Sequence, residues 1–210
     1  MTGYTADNNT SSPKQKRNRE ESTQRILKAA LEVFSEVGYD AATTKIISQR
    51  AGLNESLIQR YFQGKFNLLV EVTHSSMEAM RLETPPPPAA TPEEEIYNFL
   101  INKLEHDSQN QGFLKVLFSR LLIDPKVRTE LKKRQGEMPP DFFLKNRLVA
   151  FQKKGQIKDG IDIDTLIQSL IAQSISVGLF ERIFFEKDIE TCKAQFRQFA
   201  RNITKGILPQ

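Results

Sequence analysis

A single cysteine, Cys192, and two histidines, His74 and His106, are all that this chain of 210 residues offers of the commonest transition-metal ligands. One cysteine excludes an internal disulfide framework and the usual zinc modules. The two histidines are isolated and stand at no metal-ligand spacing. A glycine-rich phosphate loop, a nucleophile motif and carboxylates paired at a telling spacing are also missing, which argues against an enzyme. No cofactor and no metal are therefore expected. Runs of alternating apolar and polar residues at strand length are absent too, so the fold is expected to be all-α. Long apolar stretches are few. The longest, Leu166 to Phe185, is interrupted by Gln168, Ser169, Gln173, Ser174, Glu181 and Arg182, and reads as a buried amphipathic helix instead of a membrane span. Residues 1–22 hold no apolar run of the kind a secretory signal needs, and the expected compartment is the cytoplasm.

What is present is a pattern of charge. The net charge of +4 favours polyanionic partners only weakly, and its distribution says more. Lys14, Lys16, Arg17 and Arg19 form a basic arm with no acid among them. Lys45, Arg50, Arg60 and Lys65 lie in a later segment whose one acid is Glu55. Such clustering attracts phosphates. For the arm, a merely solubilising tail is the alternative.

The second basic cluster lies in Thr43 to Phe62, TTKIISQRAGLNESLIQRYF, and the adjoining QGKFNLL. Two short helices split by a tight turn fit this stretch. Ile46 or Ile47, Ala51, Leu53, Leu57 and Ile58 would bury one side of the pair. Ala51-Gly52-Leu53 supplies the turn, because glycine enters a left-handed conformation without steric cost. Asn54 is placed to cap the next helix by accepting from free backbone N–H groups. This is a helix-turn-helix layout, whose second helix suits the DNA major groove. Ile47, Leu53 and Phe62 are read as core that fixes the angle between the helices.

At these residues the sequence resembles the TetR family of bacterial transcriptional regulators. Thr43, Thr44, Ile47, Ala51, Gly52, Phe62 and Lys65 fit the family's pattern directly. Leu53, Asn54, Ile58 and Tyr61 are close replacements, whereas Ser48, Ser56, Gln59 and Phe66 depart from it. The match covers about fifty residues, and beyond them only the architecture is similar. The resemblance implies an N-terminal three-helix DNA-binding domain and a larger C-terminal helical domain for ligand binding and dimerisation. It further implies a homodimer paired through the last two helices, a palindromic double-stranded operator, and a small-molecule effector.

The expected organisation is a disordered basic arm at 1–17, a helix-turn-helix domain at 18–65, and an effector-binding and dimerisation domain at 66–210. The first helix is expected to begin near Asn18, where Asn18 and Glu21 have capping-box spacing. Ile26, Leu27, Ala30, Leu31, Phe34 and Val37 line one face of it, and Gly38 stops it. A fourth helix runs from Lys65 to about Leu82. Thr84 to Pro92, TPPPPAATP, is too rich in proline for a helix and is read as the connection between domains. Further helices are expected at 93–108, 112–122, 125–134 and 140–154, with Asp124-Pro125 a typical start. Asp162 or Asp164 caps a long helix through about Phe185, and the last runs from Asp188 to Ile207. Leu166, Leu170, Ser174, Val177, Gly178, Glu181 and Arg182 on one, and Phe196, Phe199, Ala200, Ile203 and Ile207 on the other, form stripes that suit either a dimer face or internal core.

The expected DNA-binding residues are Thr43, Thr44, Lys45, Asn54, Glu55, Ser56, Gln59, Arg60, Tyr61 and Lys65. Gln59 can bind adenine through two bonds, and Arg60 can do the same at guanine. Glu55 either accepts from cytosine or simply favours the positive end of its helix. Thr44, Tyr61 and Lys65 are assigned to phosphates. By resemblance, Phe99, Phe113, Leu117, Phe118, Phe143, Ile171 and Ile175 would line the effector pocket, with His106, Gln109, Gln168 or Gln173 as polar partners. For each phenylalanine, ordinary core is the alternative. The function expected is a repressor released from a palindromic operator by a small, hydrophobic effector. The competing readings are a DNA-binding scaffold without effector and, less supported, a helical enzyme.

Overall fold

The computed structural model describes residues 13–82, 87–135 and 142–209, and all the regular structure among them is helical. The first twelve residues, the start of the proline-rich segment and residues 136–141 lie outside the described residues. Among the described residues ten helices run in order: α1 Pro13–Ala41, α2 Thr44–Ala51, α3 Ser56–Phe62, α4 Lys65–Leu82, α5 Pro92–Gln109, α6 Gln111–Ile123, α7 Pro125–Gln135, α8 Phe142–Lys153, α9 Ile163–Phe184 and α10 Ile189–Ile207.

The chain divides into two compact units, Met1–Ser75 and Ser76–Gln210. The division falls ten residues after the expected boundary at 65 and ahead of the Thr84–Pro92 segment read as the connection, because Leu68, Leu69, Val70 and Val72 of α4 are buried and belong with the first unit. In that unit α1 packs on α2. Its buried side chains include Ile26, Ala30, Val33 and Phe34 of α1, Ile47 and Ala51 of α2, and Ile58 and Phe62 of α3.

Two features of α1 differ from the sequence expectation. The helix starts at Pro13, so Lys14, Lys16, Arg17 and Arg19 sit on its opening turns and not on a tail. Proline tolerates the first helical position, and the Lys-Gln-Lys-Arg run after it consists of good helix formers. Asn18 is thus interior to the helix and caps nothing; its carbonyl accepts from the Ser22 hydroxyl one turn on. The apolar stripe ends early as well, since Val37 is 49% exposed, one residue before the break. Gly38 makes the break, at φ 77° and ψ 171°.

The second unit is built around α5, which packs on α8, α9 and α10. Ile96, Leu100 and Leu104 of α5 meet Leu148 of α8, Ile167 and Leu170 of α9, and Phe196 and Ala200 of α10 in one core. Local caps start its helices. The Thr91 hydroxyl accepts from the Glu94 N–H at 3.2 Å, and Asp124 from that of Lys126 at 2.9 Å. Asp162 receives the N–H groups of Asp164 and Thr165, and Asp188 that of Thr191. The buried carboxylate of Glu95 is satisfied from two sides, by Arg147 of α8 at 2.8 Å and by the Ala89 N–H at 2.8 Å. Such pairing is what makes a buried charge tolerable.

Helix α9 is α-helical to Ser174 and wound as a π-helix over Ile175–Phe184. By length and composition it is apolar enough to cross a membrane. Its apolar residues are instead occupied as core: Ile163, Leu166, Ile167, Leu170, Val177, Leu179 and Ile183 are all buried within the unit. Much of the stripes considered for dimerisation meets the same fate, while Glu181, Arg182, Phe199 and Ile203 stay half-buried. Leu166, Leu170, Ser174, Val177 and Gly178, with Phe196, Ala200 and Ile207, face inward. The face of α9 that remains exposed carries Thr165, Ser169, Ala172 and Ser176, then Phe180 and Phe184.

Candidate nucleic-acid interface

Helices α2 and α3 have only 8 and 7 residues. Helices so short do not hold themselves together in water. Their ends must be tied down by something else. Thr43 opens α2 in an extended conformation, its hydroxyl accepting from the Ile46 N–H at 3.1 Å. Gly52 closes it at φ 63°, with its own N–H on the Gln49 carbonyl and the Leu53 N–H on that of Ser48. Asn54 then turns the chain into α3 by accepting from the Ser56 N–H at 2.9 Å. At the far end of α3, Gln63 takes φ 59° and Gly64 φ 120°, a tight corner before α4.

Three cations link this motif and its flanks to α1. The Arg25 guanidinium of α1 donates to the carbonyls of Ala51 at 2.7 Å and Gly52 at 3.3 Å, at the turn between the two helices. The Lys65 ammonium donates to the carbonyls of Tyr39 at 2.8 Å, Asp40 at 3.3 Å and Ala42 at 2.8 Å, and lies 4.4 Å from the centre of the Tyr39 ring. Both cations therefore sit where helices end in unsatisfied carbonyls, which carry partial negative charge. Arg50 of α2 makes a two-bond fork with Glu36 of α1 at 2.7 and 2.8 Å and touches Glu32 at 3.5 Å. The hydrogen bond from Arg50 holds the Glu36 carboxyl below the usual glutamate range, and the pair keeps the guanidinium charged.

The result is a surface bearing the expected residues in one place. Asn54, Glu55, Ser56, Gln59 and Arg60 are all exposed on α3 or at its start, while Ile58 and Phe62 are buried beneath them. Of the two isoleucines in α2, Ile47 is buried and Ile46 exposed; Leu53 is only half-buried. Thr43 and Lys45 are exposed beside the start of α2. The Thr44 hydroxyl donates to the Glu55 carboxylate at 2.5 Å, tying the starts of the two helices together. Tyr61 is half-buried, its ring edge-on to Phe62 at 6.4 Å. Sequence reasoning missed Arg25, Glu32 and Glu36. On a helical stripe they look like any solvated charge, and no local signal names carbonyls 26 residues away.

The residues considered for an effector pocket are more dispersed. Phe113 and Leu117 of α6 are buried, and Phe118 is half-buried. Phe99 of α5 and Ile171 of α9 pack against the core of the second unit. Ile175 is half-buried at the start of the π-wound turns. Phe143 is 44% exposed. Of the polar partners, Gln109 and Gln168 are exposed, whereas His106 is half-buried beside Asp107, Nδ1 to Oδ1 3.6 Å. Asp107 itself is buried, with Lys103 at 3.4 Å. Cys192 is fully buried, and burial pushes its thiol up, with the Glu181 charge acting in the same direction. It is a small core residue with little thiolate to react.

An all-helical chain whose short second helix is exposed after a glycine turn has the build of a helix-turn-helix regulator of transcription. Comparison with known proteins narrows this. The family model described as "Bacterial regulatory proteins, tetR family" matches residues 26–72. The chain is similar to the HTH-type transcriptional regulator UidR of Escherichia coli, 26% identical over 185 residues, covering 88% of this chain and 91% of that protein. It is also similar to the HTH-type transcriptional repressor KstR of Mycolicibacterium smegmatis, 30% identical over 105 residues, 49% of this chain and 51% of the other. The solved structure of Salmonella enterica GusR shares the fold at a TM-score of 0.68 and 18% identity, over 96% of this chain and 99% of that one. Residues 26–72 thus match the N-terminal domain model of the TetR-family regulators, and over most of its length the chain is similar to transcriptional regulators.

Proposed function

We propose that the protein is a dimeric, sequence-specific repressor of the cytoplasm, which leaves a palindromic operator when a small hydrophobic effector binds its second unit. The observation that carries the DNA-binding part is the exposed polar edge of α3. Asn54, Glu55, Ser56, Gln59 and Arg60 all face solvent on a helix whose opposite side is fixed in the core. The N-terminal residues of a recognition helix are the ones that reach base edges. On this reading Gln59 pairs with adenine, Arg60 with guanine or with a phosphate, and Thr43, Thr44, Lys45 and Tyr61 with backbone phosphates. Lys65, expected at a phosphate, instead donates its ammonium to the carbonyls of Tyr39, Asp40 and Ala42, which ties the start of α4 to the end of α1.

A second copy of the chain would double this edge, and a two-fold axis makes the operator a palindrome. The exposed face of α9 supports the pairing. Small residues run along it to Phe180 and Phe184, whose rings lie 5.7 Å apart and are 50% and 45% exposed. Phe185 beside them is more open still. For the effector, the mixture of Phe113, Leu117, Phe118 and Ile175 with the polar group of His106 and Asp107 suits an apolar molecule with a polar end. Its binding releases DNA if it prefers the conformation that does not bind DNA.

The test is selection of genomic fragments by the purified protein at physiological salt, and then the same selection with Gln59→Ala. Enrichment of a palindrome, with preference relaxed at particular positions in the variant, is the expected result. Retention without a shared motif would favour the scaffold reading, and no retention would remove DNA binding altogether.

A further inference from the structure

Arg19 lies outside the helix-turn-helix, yet it reaches it. The residue is two helical turns before Ile26, which is fully buried. Positions seven apart fall on the same stripe of a helix, so the line that enters the core at Ile26 emerges at Arg19. Ser22 and Thr23 between them are half-buried. Because α1 begins at Pro13, Arg19 is held on a helix and its side chain has a defined origin. Its guanidinium lies over the Tyr61 ring of α3, 5.4 Å from the centre. The Arg60 guanidinium lies over the same ring at 6.0 Å.

Each guanidinium gains from the negative π-face of the ring it lies over. The ion pairs found among the described residues involve neither Arg19 nor Arg60. Glu20 and Glu21 come directly after Arg19, and side chains one and two residues apart on a helix do not face each other. Glu55, the acid of α3's opening, is engaged by the Thr44 hydroxyl. The arrangement lacks an anion, and guanidinium groups fit phosphate oxygens in a fork. Tyr61 belongs to the last turn of α3, away from the end that reads bases. An anion there is backbone phosphate.

We propose that Arg19 and Arg60, ordered by the Tyr61 ring, clamp one phosphate of the DNA backbone, so that the DNA interface extends onto α1. The proposal rests on the reading of α2 and α3 as the DNA-binding element. Arg19 adds affinity and orientation without choosing a sequence. Arg60 then turns from base contact to backbone contact, and base preference falls mainly to Gln59 and its neighbours.

The test uses the full-length protein with the recovered operator and with a random duplex, over a series of salt concentrations. Arg19→Ala should weaken both duplexes by the same factor and reduce the slope of log affinity against log salt by about 0.9. Arg19→Lys should keep the slope, since the charge stays, and lose part of the affinity with the fork. Thermal melting of each variant checks that the fold is intact. A slope unchanged in Arg19→Ala overturns the clamp while leaving the helix-turn-helix reading in place. A loss confined to the operator overturns it too, because it would make Arg19 a base reader. Wild-type protein that holds neither duplex overturns both.

Discussion

The two units solve the same problem, how to fix helices against one another, by different means. In the second unit long helices bury a continuous apolar core, and their starts are capped by the residue next door: Thr91, Asp124, Asp162 and Asp188. In the first unit the helices that matter are short; Thr43 and Asn54 cap them locally, and charged side chains add directional bonds across the elements. Arg25 binds the turn after α2, Lys65 the end of α1, and Arg50 ties α2 back to Glu36. Burial is roughly proportional to area and is indifferent to direction. A charged donor on a carbonyl is directional. An element that must present side chains to a duplex at a defined angle gains more from the second kind of bond than from a few more buried methyl groups.

Substitutions can break this contrast at different depths. The largest effect belongs to the core beneath the interface: Ile58→Ala should cost about 2–5 kcal/mol in chemical denaturation and abolish DNA binding with it. Lys65→Met comes next. It strips the cation from three carbonyls at the end of α1 and should cost about 1–3 kcal/mol, weakening operator and random duplex together. A Lys65→Met protein of wild-type stability would mean that the directional bonds do not carry the first unit. Thr91→Ala, the local counterpart in the second unit, should cost about 1 kcal/mol and leave DNA affinity unchanged.

The smallest effect concerns acid. The Glu36 carboxyl titrates below its ordinary value in the folded chain, chiefly through the Arg50 hydrogen bond. A depressed folded value contributes stability that is complete above the unfolded value and lost as pH falls through the folded one. Melting curves of the wild type and Glu36→Gln should therefore differ at neutral pH and converge as the pH drops below the usual glutamate range. A difference that persists in strong acid would assign it to packing instead of charge.

Much of the molecule was legible in the sequence because its signals are local. Gly52 marks the turn, Asn54 the next start, Asp124, Asp162 and Asp188 further starts, and Gly38 a break; the structure uses each for that purpose. The polar edge of α3 comes from the same spacing. The hidden part is non-local. Nothing near Arg25 or Lys65 names the carbonyls they serve, and nothing near Arg19 names Tyr61. The stripes of α9 and α10 illustrate a different limit, since an apolar face reads alike whether it meets its own core or a second chain. The early start of α1 was obscured by charge: a basic run before an apolar one looks like a tail, although its residues favour a helix.

Counted in residues instead of bonds, the π-wound half of α9 is a store of chain length. A π-helix closes its hydrogen bonds one residue later than an α-helix, so Ile175–Phe184 holds more chain per turn than the α-helical half. Loss of a single residue there can be absorbed, as turns revert to the α form while Phe184, Phe185 and the corner into α10 keep their direction. The same loss between Ile163 and Ser174 has no such slack to draw on. It would rotate every later side chain of the helix by about 100° relative to the start. One end of this helix therefore tolerates a change of length that the other does not.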